Sequence, residues 1–387
     1  MNHPLYVLAF LCLNIAICEW LCNRTFLKHI GTSLLVIVLT AIVANVGLIP
    51  AATNAIPLYD GIFTYIAPIG IFFLLLNVNI KHLKKAGIPM ILMFLIGSVG
   101  TVAGVFISSF VVSGSESLGE HYHIIAGMMT GTYVGGSANF NAVALHYGMT
   151  KNGVLYAGTA AVDSIYTTIW MVASIALPKY LNKKFPGKKS GDSTEVTTDD
   201  LAQHSDVEKI SPMEAAILIF TACGALWISN LAGEALANVG VEIPSILILT
   251  TIALVLAQID YFQKINGAKM IGIFLIYLFL AVIGAFCEIG ALESLGFDLA
   301  STLVIFIGII VLVHGLFVFL VGGLYKKDWD LIAVASQANI GGSSTALALA
   351  KSFKRNDLLL PGILVGSLGS GLGTYYGFLV AAWLAPA

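Results

Sequence analysis

Two stretches decide how this chain folds: TYVGGSANFNAVA at 132–144 and SQANIGGSSTALALA at 336–350. Each sets two adjacent glycines and a cluster of Ser, Thr, Asn and Gln inside a strongly apolar chain. Such a segment either crosses a membrane as a helix glued by small residues, or breaks and turns back at membrane depth. The second is tolerated only where the backbone lines a cavity or is packed in protein. The two readings give different topologies, and the rest of the chain chooses between them.

The membrane follows from composition. Of 387 residues, 58% are hydrophobic and 10% charged, against about 25% charged in soluble domains, and mean hydropathy is +0.92. Nineteen basic and 21 acidic residues cannot coat two or three soluble domains. The apolar runs reach the length of about 20 residues that a spanning helix needs, and no alternation of the kind a membrane β-barrel shows dominates. A net charge of −2 without a basic stripe argues against a nucleic-acid partner, so the lipid bilayer is the expected one. Cys12, Cys18, Cys22, Cys223 and Cys287 lack metal or redox spacing and read as small core residues. Residues 4–22 have the apolarity of a signal peptide, but Arg24 and Lys28 follow that run instead of preceding it. The segment is expected to stay as a first helix with its N-terminus outside.

Ten spans are expected, at 4–22, 30–50, 58–78, 87–112, 151–178, 213–232, 243–259, 270–289, 299–324 and 358–385. The polar stretch 179–211 reads as a flexible cytoplasmic linker, dividing a first repeat, 1–178, from a second, 212–387. The halves match in order. Ile69-Gly70-Ile71-Phe72 recurs as Ile271-Gly272-Ile273-Phe274, Gly135-Gly136-Ser137 as Gly341-Gly342-Ser343, and Pro4 as Pro212.

Cytoplasmic loops concentrate Lys and Arg, which tests the two readings of the Gly-rich segments. If both cross, nine basic residues fall inside and ten outside; if both turn back, 18 fall inside and only Lys151 outside. The second division selects re-entrant hairpins. Five spans per half then make the repeats inverted, the hairpin tips meet near the midplane, and the C-terminus also lies outside. The expected fold is an all-α polytopic membrane protein with about ten transmembrane helices in two inverted five-helix repeats. Each repeat carries a Gly-Gly re-entrant hairpin or broken helix, as secondary transporters do.

The tips supply the substrate- and ion-binding candidates: Gly135, Gly136, Ser137, Asn139 and Asn141 in the first hairpin, and Gln337, Asn339, Gly341, Gly342, Ser343, Ser344 and Thr345 in the second. Carbonyl, hydroxyl and amide oxygens suit a hard monovalent cation, and short-helix N-termini suit an anion; the alternative is that these are small packing residues. Asp163 is the sharpest candidate. It lies mid-span with Ser164, Thr167 and Thr168 close by on the helix, where an aspartate costs about 2.5–3.5 kcal/mol. It reads as an Na⁺ ligand or proton carrier, against the alternative of a buried hydrogen-bond partner.

The second half has no matching acid, leaving Ser367, Ser370 and Thr374 as neutral ligands. Gly369, Gly373 and Gly377 form GxxxGxxxG, read as close helix packing; a phosphate cradle would need a preceding strand. His314 reads as an interhelical contact or a proton relay. Arg355 reads as a cytoplasmic topology charge or a clamp for a substrate carboxylate. Glu19 is an edge charge, and Asn45, Asn77 and Asn79 are helix contacts.

Ten spans, inverted repeats, a cytoplasmic linker and a Gly-Gly hairpin before each fifth span resemble the architecture of glutamate:sodium symporters and 2-hydroxycarboxylate transporters. The two opening stretches resemble the DUF819 family of bacterial integral membrane proteins more closely. The resemblance implies transport helices moving against a scaffold in the bacterial cytoplasmic (inner) membrane. It also implies a homodimer and coupling to Na⁺ or H⁺ with no other cofactor. Glutamate and citrate carriers usually show GGxG in the hairpins, whereas this chain has GGSAN and GGSST, so their substrates do not carry over.

The expected function is ion-coupled secondary transport of a small anionic or zwitterionic organic solute by alternating access. The alternatives are a channel or a non-transporting sensor with a transporter fold. An enzyme is not expected, because HExxH, a GxSG with a suitably placed His, and clustered acids are all missing.

Overall fold

The computed structural model describes residues 2–25, 27, 31–78, 83–186, 210–241, 243–325 and 328–386, with the backbone alone over 289–297. Asn79 and most of the expected linker, 187–209, lie outside the described residues. All regular structure among the described residues is helical.

Helices α1 (Pro4–Arg24) and α8 (Pro212–Asn238) each open on proline, whose fixed φ and missing N–H suit a first helical position. The His3 side chain caps α1, and Ser211 with Glu214 forms a capping box on α8. Next to them run α2 (Thr32–Asn45) and α3 (Pro57–Leu76), and, in the second half, α9 (Ser245–Leu256) and α10 (Ala268–Ala285). The remaining long elements are α4 (Ile88–Val111), α7 (Gly153–Lys184), α11 (Ile289–Tyr325) and α14 (Leu359–Leu384).

Among the described residues, eight helices are long and apolar enough to cross a membrane; α2 and α9, with 14 and 12 residues, are shorter apolar helices. The protein is an all-helical, multi-pass membrane protein. Both short helices fall within expected spans but stop early for local reasons. Past Asn45, Gly47 takes φ +81°, and α9 starts only after Pro244, whose ring restricts the residue before it to extended backbone.

Neither Gly-rich stretch is a single helix. Helix α5 (Tyr122–Gly135) ends at Gly136 with φ 90° and ψ 178°, a conformation open in practice only to glycine. Helix α6 (Ser137–His146) then runs back along α5. A Cβ on Gly131 would lie 3.2 Å from the Asn139 backbone, and one on Gly127 3.3 Å from Val143. In the second half α12 (Trp329–Ile340) and α13 (Gly342–Ser352) break at Gly341 and Gly342, the latter at φ +75°.

The helices form two groups: α1–α3 with α8–α10, and α4–α7 with α11–α14. Within them, partners swap between the halves. Helix α2 packs on α10 and α9 on α3, α1 on α10 and α8 on α3, α5 on α14 and α12 on α7. Helix α3 also packs on α10, and α4 on α11. The backbones come close at both of these crossings. A Cβ on Gly272 would lie 3.2 Å from the Gly70 carbonyl oxygen, and one on Gly104 2.9 Å from that of Ile310.

The GxxxGxxxG stripe of α14 has an antiparallel counterpart in α5, namely Gly127, Gly131 and Gly135. Cβ atoms on Gly135, Gly373 and Gly377 would lie 2.0, 2.7 and 2.8 Å from the carbonyl oxygens of Gly369, Gly131 and Gly127. Any larger residue forces these helices apart, which accords with the close-packing reading of that motif.

Candidate functional site

Helix α7 carries Tyr156, Ala160, Asp163 and Thr167 at intervals of three or four, which places them on one helix face. Tyr156, Ala160 and Asp163 line a cavity of about 210 Å³ together with Ser164 of α7 and Ser137, Phe140 and Asn141 of α6. Its opposite wall comes from the other helix group, with Ser33, Leu34 and Ile37 of α2 and Ile276 and Leu280 of α10. The cavity therefore sits on the boundary between the two groups. Asp163 is the one charged residue in its lining.

No basic residue lines the cavity beside it. Asp163 Oδ1 is a buried atom with no hydrogen-bond partner among the described residues, as is Tyr133 Oη. Tyr133 and Thr167 are its polar neighbours, close enough to interact but outside hydrogen-bonding geometry with Oδ1. A buried, unpaired polar group costs about 1–3 kcal/mol, and more when charged. A proton or cation at Oδ1 would remove that cost. The nearby groups are oxygens: Ser137, Ser164, Tyr156 and the amide of Asn141. That set suits a hard cation. Asn141 is already oriented, its Oδ1 accepting from the Tyr156 hydroxyl.

The other tip residues divide among three places. Asn139 is fully buried between α5 and α14, its Oδ1 accepting from Thr374 Oγ1 at 2.6 Å and its Nδ2 without a partner. Ser370 Oγ donates to the Gly135 carbonyl at 3.1 Å, so the first tip is held on the middle of α14. The second tip rests one turn away, where a Cβ on Gly366 would lie 2.6 Å from the Ser343 backbone nitrogen. The two tips therefore meet on α14.

Gln337 points into the second break, and neither end of its fully buried amide has a partner. A Cβ on Gly341 would lie 2.5 Å from Gln337 Nε2 and 2.2 Å from Thr345 Oγ1. Thr345 Oγ1 in turn donates to the Gly342 carbonyl at 3.1 Å. Ser344 is exposed on the first turn of α13, and Gly136 and Gly342 have open space around them. None of the second-tip candidates lines the Asp163 cavity.

Asn339 belongs to a third, fully buried network. Its Nδ2 donates to Ser98 Oγ at 3.0 Å, and its Oδ1 has no partner. Beside it lies His314, whose Nδ1 is 3.0 Å from the Gly97 carbonyl. A carbonyl only accepts, so the ring proton sits on Nδ1. Nε2 then accepts from Ser336 Oγ at 2.9 Å, and Ser336 Oγ accepts from Trp170 Nε1 at 3.1 Å. Thr101 accepts from Nδ1 and donates to the Tyr133 carbonyl at 3.0 Å. His314, Ser336, Trp170 and Thr101 bond in one consistent direction, so His314 acts as an interhelical tie joining α4, α7, α11 and α12 to the first hairpin.

Arg355 has no donor left for a substrate. It holds Asp328 through both terminal nitrogens at 3.2 Å, Asp357 at 2.6 and 2.8 Å, and Asp330 at 3.4 Å. The Asp357 carboxylate, with Asp328 adding to it, drives the guanidinium pKa above its ordinary value, against burial, which lowers it. Asp328 also caps α12 at Leu331, so this cluster clamps the base of the second hairpin. Elsewhere, Glu19 accepts from Asn23 and Thr32, Asn45 donates to the Cys287 carbonyl, and Asn77 donates to its own helix at Phe73.

Sequence reasoning missed Tyr133, Tyr156, Ser33, Trp170 and Ser336. The three-four spacing of Tyr156 from Asp163 was a usable signal. For Ser33, Trp170 and Ser336 no local signal existed, because their contacts span the chain.

Residues 8–386, nearly the whole chain, match the family described as "Protein of unknown function (DUF819)". The chain is also similar to the "Uncharacterized membrane protein YjcL" of Bacillus subtilis (strain 168). The two are 26% identical over 354 residues, which are 88% of this chain and 86% of that protein.

Proposed function

The chain belongs to the DUF819 family, and on that premise we propose that it is an ion-coupled secondary transporter of the bacterial cytoplasmic membrane. It moves a small anionic or zwitterionic organic solute by alternating access, with Na⁺ or H⁺ as the coupling ion. The observation that carries this reading is the unpartnered Asp163 oxygen facing a cavity on the boundary between two helix groups. A mid-membrane carboxylate with an unpartnered oxygen is a candidate ion site, and a site on such a boundary is exposed by sliding one group against the other.

In this reading ten segments cross the membrane, both breaks are re-entrant, and the halves are inverted repeats. The swapped packing partners and the close approach of Gly70 to Gly272 support that symmetry. The cation or proton binds at Asp163 with Ser137 and Asn141. The solute's anionic group is received by the N-termini of α6 and α13, where unpaired N–H groups and the helix dipole favour negative charge. Gln337, Ser343, Ser344 and Thr345 line the second of these, and Gly135, Gly136, Gly341 and Gly342 allow close backbone approach. Helices α4–α7 and α11–α14 move against α1–α3 and α8–α10, which form the contact of a homodimer.

A thermal-shift screen of the purified protein against metabolites, with and without Na⁺ and across pH, tests the reading, because stabilisation grows with ligand excess over Kd. Solute stabilisation that requires Na⁺, or that follows pH, is expected. Stabilisation by no ion and no solute contradicts it.

A further inference from the structure

A second cavity, of about 570 Å³, lies between the C-terminal halves of α7 and α11. Its walls are leucines of both helices with Phe185 and Phe319. Two indoles mark its length, Trp170 lying on Gly315 and Trp329 on Gly323, where Cβ atoms would be 2.1 and 2.5 Å from the rings. Leu312, Leu320 and Leu324 on its rim are 59, 67 and 87% exposed, so it opens sideways to lipid.

Size decides what kind of occupant it takes. From Leu312 to Leu324 the groove runs about 18 Å at 1.5 Å per residue, close to the depth of one leaflet, half of a hydrocarbon core about 30 Å thick. Spread over that length, about 570 Å³ makes a narrow slot, which a single hydrocarbon chain fits.

Charge decides the headgroup. The last turn of α7 carries Lys183 and Lys184, both exposed, and the Lys184 ammonium stands 5.7 Å over the ring of Phe185, a groove residue. The carboxylates of Asp328 and Asp330 nearby are engaged by Arg355. We propose that this groove is a binding site for one anionic phospholipid of the cytoplasmic leaflet, with an acyl chain between α7 and α11 and the phosphate on Lys184. The leaflet follows from the topology proposed above; the groove and its lysine stand whether or not the protein transports. The inner end of the chain rests on Trp170, whose N–H holds Ser336 of α12. Lipid occupancy therefore bears on the second hairpin.

The full-length protein with Trp20→Phe, Trp227→Phe and Trp383→Phe keeps Trp170 and Trp329 as its fluorophores. It would be placed in phosphatidylcholine vesicles containing a minor fraction of lipid brominated on its acyl chains. Brominated phosphatidylglycerol is expected to quench more strongly than the same fraction of brominated phosphatidylcholine. Lys184→Gln should reduce that preference about fivefold, from about 1 kcal/mol per lysine, and Lys183→Gln, on the far face of α7, should reduce it much less. Filling the groove with Leu316→Phe and Leu320→Phe should reduce quenching by both lipids. Equal quenching by the two lipids, unchanged by the lysine substitutions, overturns the proposal. So does a disulfide between two copies formed efficiently through Leu320→Cys, which would make the groove a subunit contact. Because the lysines are exposed, their substitution leaves folding intact, and thermal unfolding checks that directly.

Discussion

Asp163 and Arg355 are both ionisable residues in an apolar chain, and their surroundings separate them. Arg355 is enclosed by three carboxylates, and removing it would take away the guanidinium that ties Asp328, Asp330 and Asp357 together. Arg355→Gln is expected to lower thermal stability by about 3 kcal/mol, the lower end for breaking a buried pair, with no specific effect on solute affinity in variants that remain folded. Asp163 has an oxygen with no hydrogen-bond partner, and asparagine keeps the shape of the side chain while removing its charge. Asp163→Asn should therefore fold with near-native stability and lose the ion-dependent part of any thermal shift; an undiminished ion effect would exclude it as the coupling residue. Asp163 stood out in the sequence because charge at the centre of a span is costly. The fate of Arg355 did not, because Asp328 lies 27 positions away and nothing local announces the pair.

At the scale of elements, both helix breaks were legible from paired glycines, since only glycine takes the backbone angles found at Gly136 and Gly342. Gly369, Gly373 and Gly377 announced close packing but not their partner. The matching stripe Gly127, Gly131 and Gly135 ends in the first glycine pair, and of the three only Gly135 was singled out, as part of the break. Contact between the two stripes makes a specific prediction. Gly373→Ala puts a methyl 2.5 Å from Asn139 Nδ2 and 2.7 Å from the Gly131 carbonyl, and is expected to cost about 1–3 kcal/mol by overpacking. Gly371→Ala, on the same helix, meets only the flexible ends of Leu254 and Val78 at 3.3 Å or more. It should be neutral or slightly stabilising, since alanine favours a helix by about 1 kcal/mol over glycine. Thermal unfolding of the two variants in detergent compares them directly.

For the whole molecule, scarcity of charge identified the solvent, and the placement of basic residues gave a topology. How the two halves embrace, with partners exchanged and the cavity on their boundary, was beyond a linear pattern, because it depends on contacts between residues some 200 positions apart. In a cysteine-free background, Glu116→Cys and Lys151→Cys flank the first hairpin, and Lys184→Cys and Lys351→Cys mark the other face; all four side chains are exposed. Membrane-impermeant labelling should reach the first pair from outside and the second pair only from within. Labelling of Glu116→Cys and Lys151→Cys from opposite sides would mean that the first hairpin crosses. The account as a whole rests on coupled transport through the Asp163 site. Its most direct measurement is uptake of the solute that stabilises the protein, in proteoliposomes under an imposed Na⁺ or proton gradient. Accumulation against the solute's own gradient is predicted, collapsing when an ionophore dissipates the driving ion and absent in Asp163→Asn. Mere equilibration of the solute, or accumulation that Asp163→Asn leaves intact, would contradict the account.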